Sequence, residues 1–389
     1  RMLVICTRIN QELTQQQKVV VLARMIELIA ADGDVSNTEL EFINTVASIF
    51  NFYRQDLDNL LSFVLSDVIE GRFLENTLYI SAFENIQYPY HLLQKNLSGM
   101  MIVLRIPSLD NYLFKYLGEQ DYYLNGLLVK SHSIHFLSPG SVIRGNRLEP
   151  IYYSDIVSIF RKDKLLQEIS FEADQISYLF AGKKNGIRGV SIKENSGKLF
   201  GIMGESGAGK STLLELLNGN LKPQSGKVLL NGRDVHKEKL EGMIGYVPQD
   251  DLLIENLSVY ENLYYAAKLS LGDYSDAQIQ DIVAGTLQSL GLQEVKDLRV
   301  GSPLERYISG GQRKRLNIGL ELIRKPSVLF VDEPTSGLSS RDSENIMDLL
   351  KELALEGKLV FVVIHQQSST VFKLFDKFFI LDTGGSPIY

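Results

Sequence analysis

The run Gly204-Glu205-Ser206-Gly207-Ala208-Gly209-Lys210-Ser211-Thr212 decides how the second half of this chain folds. It fits the spacing G-x-x-x-x-G-K-[ST]. Lys198-Leu199-Phe200-Gly201-Ile202-Met203 before it reads as a short buried strand, and Leu213, Leu214, Leu216 and Leu217 after it read as the apolar positions of a helix. A strand, a glycine loop and a helix together make a cradle for an anion. Glycines let the backbone come close, and successive N–H groups turn inward. The helix start adds the positive end of its dipole. In such a cradle Lys210 reaches the β- and γ-phosphates of a nucleotide, and the Ser211 hydroxyl holds Mg²⁺.

The chain around this loop has 389 residues, enough for two or three domains. An apolar content of 44% with 22% charged residues is that of a globular protein. The net charge of −7 argues against a nucleic-acid partner. One cysteine, Cys6, leaves no internal disulfide and suits a reducing compartment. We find no run of 18 apolar residues, so no membrane span is expected, and no signal-peptide pattern at the start. The first residue is Arg1 and the last, Tyr389, closely follows Gly384-Gly385, as expected of a piece of a longer protein.

Residues 11–70 read as three helices. Val19, Leu22, Ile26 and Ile29 share one face, as do Leu40, Ile43, Ala47 and Phe50, then Leu57, Leu60, Leu61 and Val64. Gly33 ends the first helix, and Ser36-x-x-Glu39 is a capping box that starts the second. Asp32, Asp34, Ser36 and Glu39 could also form a metal loop, but their spacing does not match D-x-[DN]-x-[DN]-G. Lys18 to Phe52 resembles the helical bundle of tellurite-resistance TerB-like proteins, a resemblance that carries no settled activity.

From about Arg72 to Lys164 the period changes to two. Met101–Ile106 and Tyr112–Tyr116 read as strands, and Tyr122–Leu124 and Leu127–Val129 flank the hairpin signal Asn125-Gly126. Short strands at this spacing predict a small sandwich or barrel. Leu124-Asn125-Gly126 followed by His135–Ile143 faintly resembles the later half of a forkhead-associated domain. The arginine and Ser-x-x-His parts that would bind phosphothreonine are not apparent, so no site is assigned there. His132 and His135 read as surface or packed residues rather than ligands.

The last segment supplies partners for the glycine loop. Ser327–Asp332 is an apolar strand that runs into two acids, Asp332 and Glu333. The first can orient a Mg²⁺ shell and the second can position water, which is most of what phosphoryl transfer needs. Ile308-Ser309-Gly310-Gly311-Gln312 upstream offers a hydroxyl, open glycine backbone and a helix N-terminus to an anion. These phrases, in this order, resemble the nucleotide-binding domain of an ABC transporter, and within that superfamily the G subfamily, or White type. Walker A matches Gly204 to Thr212 and the Q-loop glutamine matches Gln249. The signature matches Ser309-Gly310-Gly311-Gln312, the Walker B aspartate Asp332, the catalytic glutamate Glu333 and the switch histidine His365. Leu257–Leu263, Gly311–Leu316, Asp332–Leu338 and Phe375-Asp376 carry the subfamily flavour.

Together the patterns predict a multidomain chain: an α-helical bundle over 1–71, a small all-β domain over 72–164 and, from the ABC resemblance, an α/β P-loop ATPase domain over 165–389. That resemblance implies ATP and Mg²⁺ as cofactors, with Ser211, Gln249 and Asp332 at the metal, and Phe180, with Tyr178 as the alternative, stacking on adenine. It implies a second copy of the nucleotide-binding domain, because ATP is held between Walker A of one copy and the signature of the other. A transmembrane domain would follow Tyr389 or lie on another chain, placing this piece at the cytoplasmic face of a membrane and driving export. Two positions depart from the pattern: Ser339 stands where the D-loop usually carries Asp, and Gln367 where the subfamily has Pro. On the helix after the signature, Arg313-Lys314-Arg315 reads as a solvated face or one near the phosphates. The competing reading is a soluble ABC-type ATPase that works as a mechanical switch. Against it stand the acidic balance, the G-type phrases and the lack of a long coiled-coil arrangement.

Overall fold

The computed structural model describes residues 13–30, 35–65, 76–83, 88, 90–161, 169–180, 186–238, 240, 242–272, 274–302, 305, 307–365 and 368–388. The chain divides into two compact units, Arg1–Lys162 and Asp163–Tyr389.

The first unit opens with α1 (Gln15–Ala30), α2 (Asn37–Ile49) and α3 (Arg54–Leu65). Val19, Leu22, Ala23 and Ile26 repeat at helical spacing and are buried together. Ser36 caps α2: its hydroxyl accepts from the Glu39 N–H, and the Glu39 carboxylate accepts from the Ser36 N–H at 2.8 Å. That reciprocal pair accounts for Ser36 and Glu39, while Gly33, Asp32 and Asp34 lie outside the described residues. Strands follow: β1 (Thr77–Ser81), β2 (Tyr90–Leu93), β3 (Met100–Ile106), β4 (Asn111–Leu117), β5 (Tyr122–Leu124), β6 (Leu127–Leu128), β7 (Ile134–Leu137), β8 (Val142–Gly145) and β9 (Ile151–Tyr152), then α4 (Tyr153–Arg161). Asn125 and Gly126, at φ 52° and 89°, make the expected tight turn between β5 and β6. His135 packs its ring 5.2 Å from that of Phe114 and bonds the Lys130 carbonyl at 3.1 Å.

The sheets run β2-β1-β3-β4-β7 and β6-β5-β8-β9. Strand alternation sends the side chains of the first sheet two ways. Tyr79, Ile102, Leu104 and Leu113 join Leu22, Ile26, Ile43 and Leu60 of the helices. Leu78, Ile80, Met101, Val103 and Phe114 join Ile143 and Ile151 of the second sheet and Ile156 of α4. This sheet is therefore buried on both faces, and helices and strands share its core.

The second unit contains β10 (Ser170–Leu179), β11 (Gly186–Asn195), β12 (Lys198–Gly204), α5 (Lys210–Asn218), β13 (Ser225–Leu230), β14 (Arg233–Asp234), β15 (Ile244–Val247), α6 (Val259–Ser270), α7 (Asp276–Ser289), α8 (Gly310–Leu322), β16 (Val328–Asp332), α9 (Ser340–Leu355), β17 (Leu359–Val363), α10 (Ser369–Phe372) and β18 (Lys377–Leu381). A parallel sheet runs β15-β16-β17-β12-β18 and an antiparallel one β11-β10-β13-β14. Every residue of β16 and β17 is buried, as the continuous apolar runs of a parallel sheet require. Phe171 of β10 packs 5.8 Å from Phe330 and 5.2 Å from Phe361, joining the two sheets. In register, Ile202 and Asp332 both pair with Val363, so β12, β17 and β16 end together. Ligands of open α/β sheets bind beyond such carboxyl ends. No described helix is long and apolar enough to cross a membrane.

Candidate nucleotide site

The glycine loop leaves β12 and enters α5 through Gly207 and Gly209, at φ 82° and 97°. Gly209 caps the helix in the left-handed region, where a side chain would be strained. Lys210 is 6% exposed. Its ammonium donates to the carbonyls of Gly204 and Glu205, 3.0 Å each, and so folds back over the loop. Burial pulls this ammonium below the usual lysine range, while the carboxylates of Glu333 and Asp332 work to keep its proton.

Those acids come from the end of β16. Asp332 is buried, and burial pushes its carboxyl up; the Ser211 hydroxyl, hydrogen-bonded to it, opposes the rise, and the Glu333 charge adds to it. Asp332 Oδ1 has no hydrogen-bond partner among the described residues. Buried polar atoms are nearly always satisfied. An orphaned carboxylate oxygen beside a hydroxyl at the foot of a phosphate cradle suits a hard divalent cation with oxygen ligands, so these residues fit Mg²⁺. Glu333 sits at φ 43°, rare for a residue with a side chain, and its N–H donates to the Val363 carbonyl at 3.1 Å. The turned backbone sets its carboxylate between two neighbours. Oε1 lies 2.5 Å from Nε2 of His365, and Oε2 accepts from Nε2 of Gln249 at 3.1 Å.

A cleft of ≈ 410 Å³ opens here, lined by Phe180, Gly186, Ser206, Gly207, Gly209, Lys210, Ser211, Thr212, Glu333 and His365. A model of the family described as "ABC transporter" matches residues 187–336. The carboxy-terminal unit is a G-family ABC ATPase domain. Relatives bear this out. The chain is 41% identical over 226 residues to the "Putative white-brown complex homolog protein 30" of Arabidopsis thaliana, covering 57% of this chain and 21% of that one. It is 38% identical over 208 residues to the "ATP-binding cassette sub-family G member 8" of Rattus norvegicus, covering 52% and 30%. The chain thus spans less than a third of the length of these relatives. Among solved structures, cbiO1 from Clostridium perfringens, part of the ABC transporter complex cbiONQ, is similar at 28% identity and a TM-score of 0.50, covering 56% of this chain and 86% of that one. In the amino-terminal unit, residues 2–61 match the tellurite resistance protein TerB family.

The ABC ATPase domain gathers most of the residues singled out from the sequence and disperses a few. Gly204 and Glu205 hold Lys210 through their carbonyls, Ala208 is buried, and Gln249 reaches the cleft through Glu333. Phe180 lines the cleft and is 41% exposed, whereas Tyr178 packs against the core. Ser309, Gly310, Gly311 and Gln312 do not line it. They form the start of α8, where Ser309 and Gln312 close a capping box. Ser339 caps α9: its hydroxyl accepts from the Asp342 N–H at 3.1 Å and donates to the Asp342 carboxylate at 2.8 Å. Serine and aspartate are both good caps, so the D-loop helix keeps its start despite the departure. Gln367, the other departure, and Gln366 lie outside the described residues.

The basic run after the signature is a correction. Arg313 and Lys314 are 6% and 8% exposed, not solvated, and no atom of theirs lines the cleft. Arg313 forks onto Asp251 at 3.0 and 3.1 Å, Lys314 donates to the carbonyls of Pro248 and Gln249, and Arg315 to that of Leu290. Counting the Val300 and Gly301 carbonyls that Arg313 also reaches, their partners stand 12 to 66 positions away in sequence. No local pattern reports that.

Proposed function

We propose that the chain is the ATP-hydrolysing part of an ABC transporter of the G family, in which two nucleotide-binding domains close on ATP and open after hydrolysis to move a substrate, by export, across a membrane. The observation that carries this reading is the Glu333 carboxylate, held between Gln249 and His365 beside the Lys210 cradle. Lys210 and the loop N–H groups bind and orient the phosphates. Glu333 takes the proton of the attacking water, with His365 and Gln249 fixing its two oxygens. Phe180 stacks on the adenine. Ser211, Asp332 and Gln249 would hold Mg²⁺, which when bound neutralises charge on the phosphates.

The signature residues lie outside this cleft, so a second domain must supply them to the same nucleotide, either another copy of this chain or a related subunit. The membrane-spanning part would follow Tyr389 or belong to another chain, with this piece at its cytoplasmic face. The test is turnover in Lys210→Ala with circular dichroism beside it. The expected result is loss of most phosphate release with the helical and β signals intact. Near-normal release in the purified protein with its membrane part would refute the assignment of the loop.

A further inference from the structure

Two buried cations on α8 grip one short turn. Lys314 donates to the Pro248 carbonyl at 3.1 Å and to the Gln249 carbonyl at 2.8 Å. One position earlier, Arg313 forks onto the Asp251 carboxylate and reaches the carbonyls of Val300 and Gly301. The turn Pro248–Asp251 is therefore held at three points from a helix whose first residues are the signature. Burying an ammonium against neutral carbonyls is unfavourable unless its hydrogen bonds are well made. Burial does pull Lys314 below the lysine range, and the carboxylates of Asp251, Asp332, Asp250 and Glu333 hold its proton on.

The held peptide has a second end. The side chain of Gln249 runs the other way and donates to Glu333 Oε2. The ammonium, the Gln249 peptide, the Gln249 amide and the catalytic carboxylate thus form one continuous line. We infer that Lys314 is a positioning residue for Gln249, fixing the peptide from which its amide aligns Glu333, and so ties the signature helix to the hydrolytic acid. This rests on the reading of Glu333 as the base. Gln249 is the link in the line whose side chain reaches Glu333, so the part of the Lys314 effect that is carried by position must be lost when that side chain is removed, leaving only the direct influence of its charge on Asp332 and Glu333. A cation that merely braced the domain would lack this dependence. Lys358 is such a comparison: half-buried, it donates to the Pro326 carbonyl at 3.0 Å and, among the described residues, touches nothing of the cleft.

The experiment is a double-mutant cycle in ATP turnover, run on the full chain in the complex in which it hydrolyses ATP. Lys314→Met is expected to lower kcat about ten- to hundredfold while KM for ATP moves less than about threefold, the range seen for coupled neighbours. Lys314→Arg restores part of the loss, and Lys358→Met leaves kcat unchanged. In a Gln249→Ala background Lys314→Met costs several-fold less than in the parent chain, and Lys314→Arg, which keeps the charge, costs at most about twofold. The same loss in both backgrounds, or a raised KM with unchanged kcat, overturns the inference. Lys314→Gln, which keeps one donor, carries the cycle if the Met variant does not bind nucleotide. Absence of turnover in the parent chain, or undiminished turnover in Glu333→Gln, would instead defeat the functional reading on which it rests.

Discussion

Glu333→Gln separates chemistry from binding at one atom. In the parent chain one carboxylate oxygen faces His365 Nε2 at 2.5 Å and the other faces Gln249 Nε2 at 3.1 Å. The amide keeps the size of the side chain and its unusual backbone turn, yet it places an NH₂ against one of two neighbours that now meet an oxygen. A hydrogen bond to a charged carboxylate is lost there, worth about 1.5–3 kcal/mol. The loss of proton acceptance is larger, about 10²–10⁴-fold in rate, or about 3–5 kcal/mol of barrier. The chemical effect therefore dominates. Nucleotide affinity should hold or tighten, since a negative charge leaves the neighbourhood of the phosphates. The assay is phosphate release at saturating Mg-ATP, with fluorescent-nucleotide titration alongside. The expected result is collapsed kcat with undiminished affinity, and a dimer by light scattering with ATP that weakens without it. Unimpaired release would refute the reasoning, because the water would then be activated by His365, Gln249 or another group.

Two further outcomes follow from the packing. A Cβ on Gly311 would come within 2.7 Å of Asp342 Oδ1, whose side chain completes the Ser339 cap. Gly311→Ala should push the Asp342 carboxylate off the Ser339 hydroxyl while the cap on the Asp342 N–H stays, a loss of about 1 kcal/mol that lowers Tm by about 2–4 °C; an unchanged melting curve in scanning calorimetry would count against the contact. All residues lining the nucleotide cleft belong to the second compact unit. A chain beginning near Leu165 should bind Mg-ATP with unaltered affinity, and a titration showing lost binding in a folded protein would mean that the first unit completes the site.

The glycine loop and the Ser36 capping box were legible because their partners lie within a few residues, and the paired acids because they end an apolar strand, although Gln249 and His365 stand far from them in sequence. Spacing alone puts Lys210 at the start of a helix and Ser36 opposite Glu39. Met101–Leu104 is a continuous apolar run, a pattern that a strand buried on both faces shares with a buried piece of helix, and only the fold shows what covers each face. Arg313 and Lys314 misled because charge on a helix usually means solvent. Only the fold brings Asp251 and the carbonyls of Pro248 and Gln249 beneath them. Likewise, Phe180 and Tyr178 are two residues apart, a spacing that puts both on one face of a strand; they part because β10 ends at Leu179, leaving Tyr178 against the core and Phe180 beyond the strand at the cleft.

The central claim is that ATP is hydrolysed in a site built from two domains. Lys210→Ala removes the phosphate cradle, and Gly310→Asp blocks the signature, so each variant alone leaves no complete site in a symmetric dimer. Mixed, they form heterodimers with one intact site, Lys210 from one copy and Gly310 from the other. ATP turnover of the equimolar mixture, measured after exchange of subunits, is the most direct measurement. The account predicts that each variant is inactive alone and that mixing recovers about a quarter of the parent rate, half the dimers carrying one of two sites. No recovery on mixing, or full activity of the Gly310→Asp variant alone, would contradict it.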